Sequence, residues 1–149
     1  MSITIYINET INWKYHIEYI LPKLSAVCYA MRIIKPYMSL ETLKIVYYSN
    51  FNSIINYGLP FWGTSPHSKK KIFRMQKRIV RIMMGCREEV SCRNLFRKLK
   101  ILPLISQYIH SLMMFIIKNK NQFTVNSAIH NIITGQHKNL HQPTSNLTG

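Results

Sequence analysis

The stretch "PHSKKKIFRMQKRIVRIMM", residues 66–84, constrains this chain more than any other. Its basic and apolar residues alternate too regularly for a loose basic tail. Set at about 100° per residue, Lys70, Arg74, Lys77, Arg78 and Arg81 share one sector of about 100°. Ile72, Met75, Gln76, Ile79, Ile82 and Met83 fall on the opposite side. Such sorting predicts one amphipathic helix, with Pro66 in its first turn and Gly85 just past its end. One face seeks a core and the other is left cationic.

The rest of the composition sharpens that second face. The chain has 149 residues, 47% of them hydrophobic, enough for one domain with a core and too apolar for wholesale disorder. It carries 20 Lys and Arg against 5 acids, a formal net charge of +15. That imbalance speaks of partners rather than fold: nucleic acid first, an anionic membrane surface second. Every acid is a glutamate (Glu9, Glu18, Glu41, Glu88, Glu89), and there is no aspartate.

Along the chain, "ITIYI" at residues 3–7 suits a short strand. Asn12 is placed to cap a helix opening at Trp13. Ile17, Ile20, Leu21, Leu24, Val27, Cys28 and Met31 continue it at helical spacing to about Ile34. Pro22 inside that pattern predicts a kink or a late start. Ser39 is a natural N-cap with Glu41 behind it, and a second helix carries Leu40, Leu43, Val46, Tyr47, Phe51 and Ile54 towards Asn56. Gly58, Pro60, Gly63 and Pro66 punctuate the middle. Ser91 opens a fourth helix ending at Leu99, and Pro103 stands in the first turn of a fifth reaching about Asn119. After Gln122 the composition turns polar and aperiodic. The expectation is a mainly α fold: a bundle of about five helices, a short N-terminal strand and an irregular C-terminal tail. The divisions fall at residues 1–12, 13–120 and 121–149.

Five cations on one face repel one another by a few tenths of a kcal/mol per i,i+4 pair, and no acid in the helix relieves them. A polyanion would relieve them and release counterions, a salt-sensitive gain. Lys69, Lys71, Arg87, Arg93, Arg97, Lys98 and Lys100 lie nearby in sequence and add to the effect. The competing reading is a merely solvated face.

Other constellations are weaker. Cys86 and Cys92 lack a second ligand pair at finger-like spacing, and His130, His137 and His141 match no tight metal site. No nucleophile motif or phosphate-cradling loop appears. Tyr57, Phe61 and Trp62 could stack bases, although such clusters more often pack a turn on the core. Two-metal phosphoryl chemistry needs clustered carboxylates, which a chain with no aspartate and an adjacent Glu88–Glu89 pair does not offer. Three cysteines without a basic and apolar leader fit a reducing compartment. Residues 99–117, broken by Lys100, Gln107 and His110, fall short of a membrane span.

Several segments, in order, resemble the part of non-LTR retrotransposon (jockey-like, LINE-type) reverse transcriptases that follows the catalytic palm. "ITIYINETINWKYHI" is similar to the end of the palm, with Trp13 and His16 opening a helix. Tyr57, Gly58, Trp62 and Gly63 match the family's Tyr-Gly-x-x-x-Trp-Gly turn, and Gln76, Lys77 and Arg78 its Gln-Lys-Arg helix. "SCRNLFRKLKILPL" follows as in those proteins. "HNIITGQHKNLHQP" resembles a later segment in which arginine usually stands at the position of Gly135. The resemblance covers nearly the whole chain. It implies that residues 1–12 end a palm strand and that 13–120 form a thumb-like helical domain gripping a template–product duplex. It further implies RNA and DNA as partners, the parent polymerase's palm as a neighbour, and an intracellular life in nucleus and cytoplasm. The family's paired aspartates lie upstream of the matching region. The chain is therefore expected to be a catalytically incomplete fragment, with no cofactor of its own, although the full-length family enzyme uses Mg²⁺. Two other readings stay open: a stand-alone basic helical module that binds nucleic acid or regulates, and a membrane-surface or structural helical protein.

Overall fold

The computed structural model describes residues 13–122, and every regular element among them is helical. The expected strand at residues 3–7, the Asn12 cap and nearly all of the expected tail lie outside the described residues. The chain divides into two compact units, Met1–Ser111 and Leu112–Gly149. The core and the candidate site belong to the first.

Helix α1, Lys14–Ile34, buries His16, Ile17, Ile20, Leu24, Cys28 and Met31, a stripe at steps of three and four residues. The helix does not wait for Pro22 but runs through it. Pro22 is exposed, so the carbonyl deprived of its N–H partner lies on the solvent side, and the buried stripe offsets a cost of roughly 3 kcal/mol.

A 3₁₀ turn, Lys35–Tyr37, leads to α2, Leu40–Val46, capped by Ser39, whose Oγ accepts the Thr42 N–H at 3.3 Å. Here the regular helix stops. A π-helical segment, Tyr47–Asn52, intervenes before α3, Ser53–Asn56. The reason lies in the apolar spacing. Four of the five buried residues, Leu43, Tyr47, Phe51 and Ile55, stand four apart (Ile54 is the fifth), and on a 3.6-residue helix each step drifts by about 40°. A wider turn cancels that drift and keeps all four on the core side. Loosened carbonyls find side-chain donors: the Val46 carbonyl accepts Ser49 Oγ at 3.3 Å and Asn50 Nδ2 at 3.2 Å.

The punctuated middle contains a short helix of its own, α4, Leu59–Trp62. Gly58 precedes it at φ 71°, a left-handed conformation that glycine adopts without penalty. Leu59 and Trp62 are fully buried, and the indole Nε1 donates to the Tyr57 carbonyl at 3.2 Å. Gly63 ends the turn under the ring of Tyr108: a β-carbon there would strike Tyr108 Cδ2 and come within 2.5 Å of the Leu59 carbonyl oxygen.

Helix α5, Pro66–Met84, packs along α1 on one side and against α6, Cys92–Leu99, on the other. Helix α7 spans Leu104–Lys118. The Phe73 and Phe96 rings stack with centroids 6.1 Å apart, joining α5 to α6.

Candidate nucleic-acid interface

The ends of α5 are secured locally. Ser65 Oγ accepts the Ser68 N–H at 3.4 Å, and Pro66 sits in the first turn, where a missing N–H costs nothing. At the other end Gly85 adopts φ 66°, and the Cys86 N–H donates to the Arg81 carbonyl at 3.0 Å, closing the helix.

Between these caps the helix has two faces. Ile72, Ile79, Val80 and Met83 are buried, each contributing about 1.5–3 kcal/mol on leaving water. Val80, absent from the expected apolar set, is wholly inside, whereas Met75 and Ile82 lie at the edge, half-buried. Gln76 is also fully buried. Its Nε2 donates to the Tyr47 hydroxyl and to the Leu102 carbonyl, each at 3.0 Å, and its Oε1 accepts the Leu104 N–H at 2.8 Å. This glutamine is a bracket rather than a contact residue.

On the other face the five predicted cations divide into two groups. Lys70, Arg74 and Arg78 are exposed. Lys77 and Arg81 are half-buried. Lys77 places its ammonium 5.0 Å from the centroid of Phe73. Arg81 donates from Nε to the Val90 carbonyl at 3.1 Å, tying α5 to the following loop. Arg78 looks towards α1: burial pushes the Cys28 thiol up to about 11, and the positive charges of Arg78 and Arg32 partly oppose that rise. No acid stands on α5, and the nearest in sequence, Glu88 and Glu89, are exposed beyond its end.

The remaining candidates separate clearly. Trp62 is core, while Tyr57 and Phe61 are 41% and 49% exposed beside it. Cys28, Cys86 and Cys92 are free thiols, and no group of three or more metal-binding side chains occurs among the described residues. His130, His137 and His141 lie outside the described residues. Among the described residues no single helix is long and apolar enough to cross a membrane. Arg93, Arg97 and Lys100, counted in sequence only among the nearby cations, border an open groove at the end of α6. The i,i+4 spacing of Arg93 and Arg97 was visible, but the turn at Lys100 that builds the groove floor was not.

Compared with known proteins, the chain matches no family model, no curated protein and no solved structure.

Proposed function

We propose that the chain binds the phosphate backbone of RNA or DNA through the cationic face of α5. In this reading it is a thumb-like, post-palm fragment of a non-LTR retrotransposon reverse transcriptase, acting in the nucleus or cytoplasm beside nucleic acid. The family part of the proposal rests on the sequence resemblance alone. The binding part rests on one observation: a helix whose apolar side is spent on the core leaves unrelieved charge on its outer side.

The density of that charge suits the ligand. From Lys70 to Arg81 the helix rises about 16 Å, so its five cations stand on average about 4 Å apart along the axis. One strand of duplex DNA carries a charge about every 3.4 Å. Contacts of this kind position a duplex without reading its bases. The residues that would act on the bound strand are not in this chain: the family's palm aspartates have no counterpart in a sequence without aspartate.

Titration of a labelled duplex by fluorescence anisotropy tests the proposal. Three to five phosphate contacts predict affinity falling by about 40- to 500-fold between 50 and 200 mM salt. A variant with alanine at Lys70, Arg74, Lys77, Arg78 and Arg81 is expected to lose most of the binding. Salt-insensitive binding, or an unimpaired variant, would rule the proposal out.

A further inference from the structure

The end of α6 builds a second, differently shaped site. Lys100 follows the helix at φ 56°, a left-handed conformation, and the chain reverses there. Ile101 then goes into the core and Leu102 is turned outward, 52% exposed. The floor made by this turn is rigid. The Leu102 carbonyl accepts two buried amides, Gln76 Nε2 at 3.0 Å and Gln107 Nε2 at 2.7 Å, and the Tyr48 hydroxyl donates to the Lys100 carbonyl at 3.4 Å. Above it lies a groove of about 460 Å³ with Phe96, Leu102 and Pro103 among its apolar walls and Arg93, Arg97 and Lys100 as its charges. That volume is in the range of small-ligand pockets, about 300–1,000 Å³.

The charges identify the class of occupant. Arg93 and Arg97 stand one turn apart on α6, both exposed, and neither they nor Lys100 forms an ion pair among the described residues. An apolar cleft rimmed by three such cations fits a flat apolar body flanked by anions. Its position favours nucleic acid over a lipid phosphate. Phe96 stacks on Phe73, and Phe73 lies beneath the Lys77 ammonium and lines a smaller groove with Lys69 and Lys70. The cleft is thus one aromatic pair away from the cations of α5.

We propose that this groove takes one unpaired nucleotide of a bound strand, its base against Leu102 and Pro103 and its flanking phosphates on Arg93, Arg97 and Lys100. The inference rests on the nucleic-acid reading of α5 and adds a preference for a single-stranded end beside a duplex. Cations that track the backbone beside a platform for the bases are the usual means of holding single strands; that platform is commonly aromatic, and here it is the Leu102–Pro103 wall.

The test compares a blunt duplex with the same duplex carrying a short single-stranded tail, using the full chain. The tail is expected to tighten binding at least about fivefold, the low end for packing one base. Leu102→Ala is expected to abolish that gain while keeping blunt-duplex affinity within about twofold, and the Arg93→Ala/Arg97→Ala double variant to abolish it beyond any loss of blunt-duplex affinity. Equal binding of blunt and tailed duplex by the parent overturns the groove and leaves the α5 proposal standing. So does a gain that survives both variants. Anionic phosphatidylserine vesicles whose binding depends on Arg93 and Arg97, with no tail gain, would assign the groove to lipid instead. A parent that binds neither duplex overturns both proposals.

Discussion

Gln76 closes the first turn of α7 from another helix: its Oε1 accepts the Leu104 N–H at 2.8 Å, a donor that α7 itself cannot satisfy. The same side chain holds the Leu102 carbonyl and the Tyr47 hydroxyl. Burial pushes the Tyr47 phenol up to about 12, against the opposing hydrogen bonds from Gln76 and Gln107. Removing Gln76 would therefore strand the buried Leu104 N–H and leave the Leu102 carbonyl and the Tyr47 hydroxyl to Gln107 alone. A buried donor left unpaired costs about 1–3 kcal/mol and the vacated side-chain volume adds to that, so Gln76→Ala is expected to lose about 2–4 kcal/mol in urea denaturation. Lys70→Ala, on the exposed face of the same helix, should stay within about 0.5 kcal/mol. A Gln76 variant as mild as the Lys70 variant would contradict the bracket.

The cations of α5 should not weigh equally. Arg74 and Arg78 are exposed, whereas Arg81 already spends its Nε on the Val90 carbonyl. Replacing Arg74 by alanine is expected to lower the salt dependence of duplex binding by about one counterion. Arg81→Ala should lower it by less than half as much, and should instead loosen the loop before α6. Equal slopes for the two variants would mean that the half-buried arginine turns outward on binding.

These contrasts mark what could be read in advance. The boundaries of helix α5 were legible, because proline, a 3.6-residue apolar period and glycine all indicate them. The segment from Leu40 to Asn56 was legible as helix but not in its facing. Its apolar residues recur every four positions, and a template of fixed pitch spreads them over too wide an arc. The outcome is visible at its ends: Leu40, expected inside, is 39% exposed, and Ile55, not in the expected set, is fully buried. The role of Gln76 was half legible. Its place on the apolar side was evident, yet its partners lie 26 to 29 residues away and no local pattern reveals them. The α6 groove was hidden for the same reason, since a left-handed lysine leaves no sequence signal of the kind glycine does.

Two backbone positions should respond in opposite directions. Gly63 has an ordinary φ, so its requirement is space: a β-carbon meets the Tyr108 ring and the Leu59 carbonyl, and neither is a flexible tip. Gly63→Ala is expected to cost about 1–3 kcal/mol as overpacking. Lys100 is the reverse case, a side chain held where glycine is preferred. Lys100→Gly should gain roughly 1 kcal/mol in the same denaturation experiment, while removing one charge from the groove. A destabilised Lys100→Gly would indicate that the turn is held by the lysine side chain rather than strained by it.

His16 gives the fold a pH dependence with a definite sign. Its ring is fully buried, 6.2 Å from Trp13 edge to face, and neither ring nitrogen has a hydrogen-bond partner among the described residues. Burial alone lowers its pKa below the ordinary 6.5, because the charged form would lose its hydration without gaining a partner. Below 6.5 the unfolded chain therefore binds a proton that the folded chain refuses. The contribution to stability is complete above 6.5 and is lost as the pH falls towards the lowered folded value, with a slope of at most about 1.4 kcal/mol per pH unit. His16→Phe removes the titration and both unpaired nitrogens, so it is expected to be neutral or mildly stabilising at pH 8 and to flatten the fall below about pH 6.5. Denaturation midpoints measured across that window distinguish the outcomes. A parent and variant that decline in parallel would place the pH dependence elsewhere, and a steeper decline in the variant would mean that the imidazole is stabilised in its charged form by a partner.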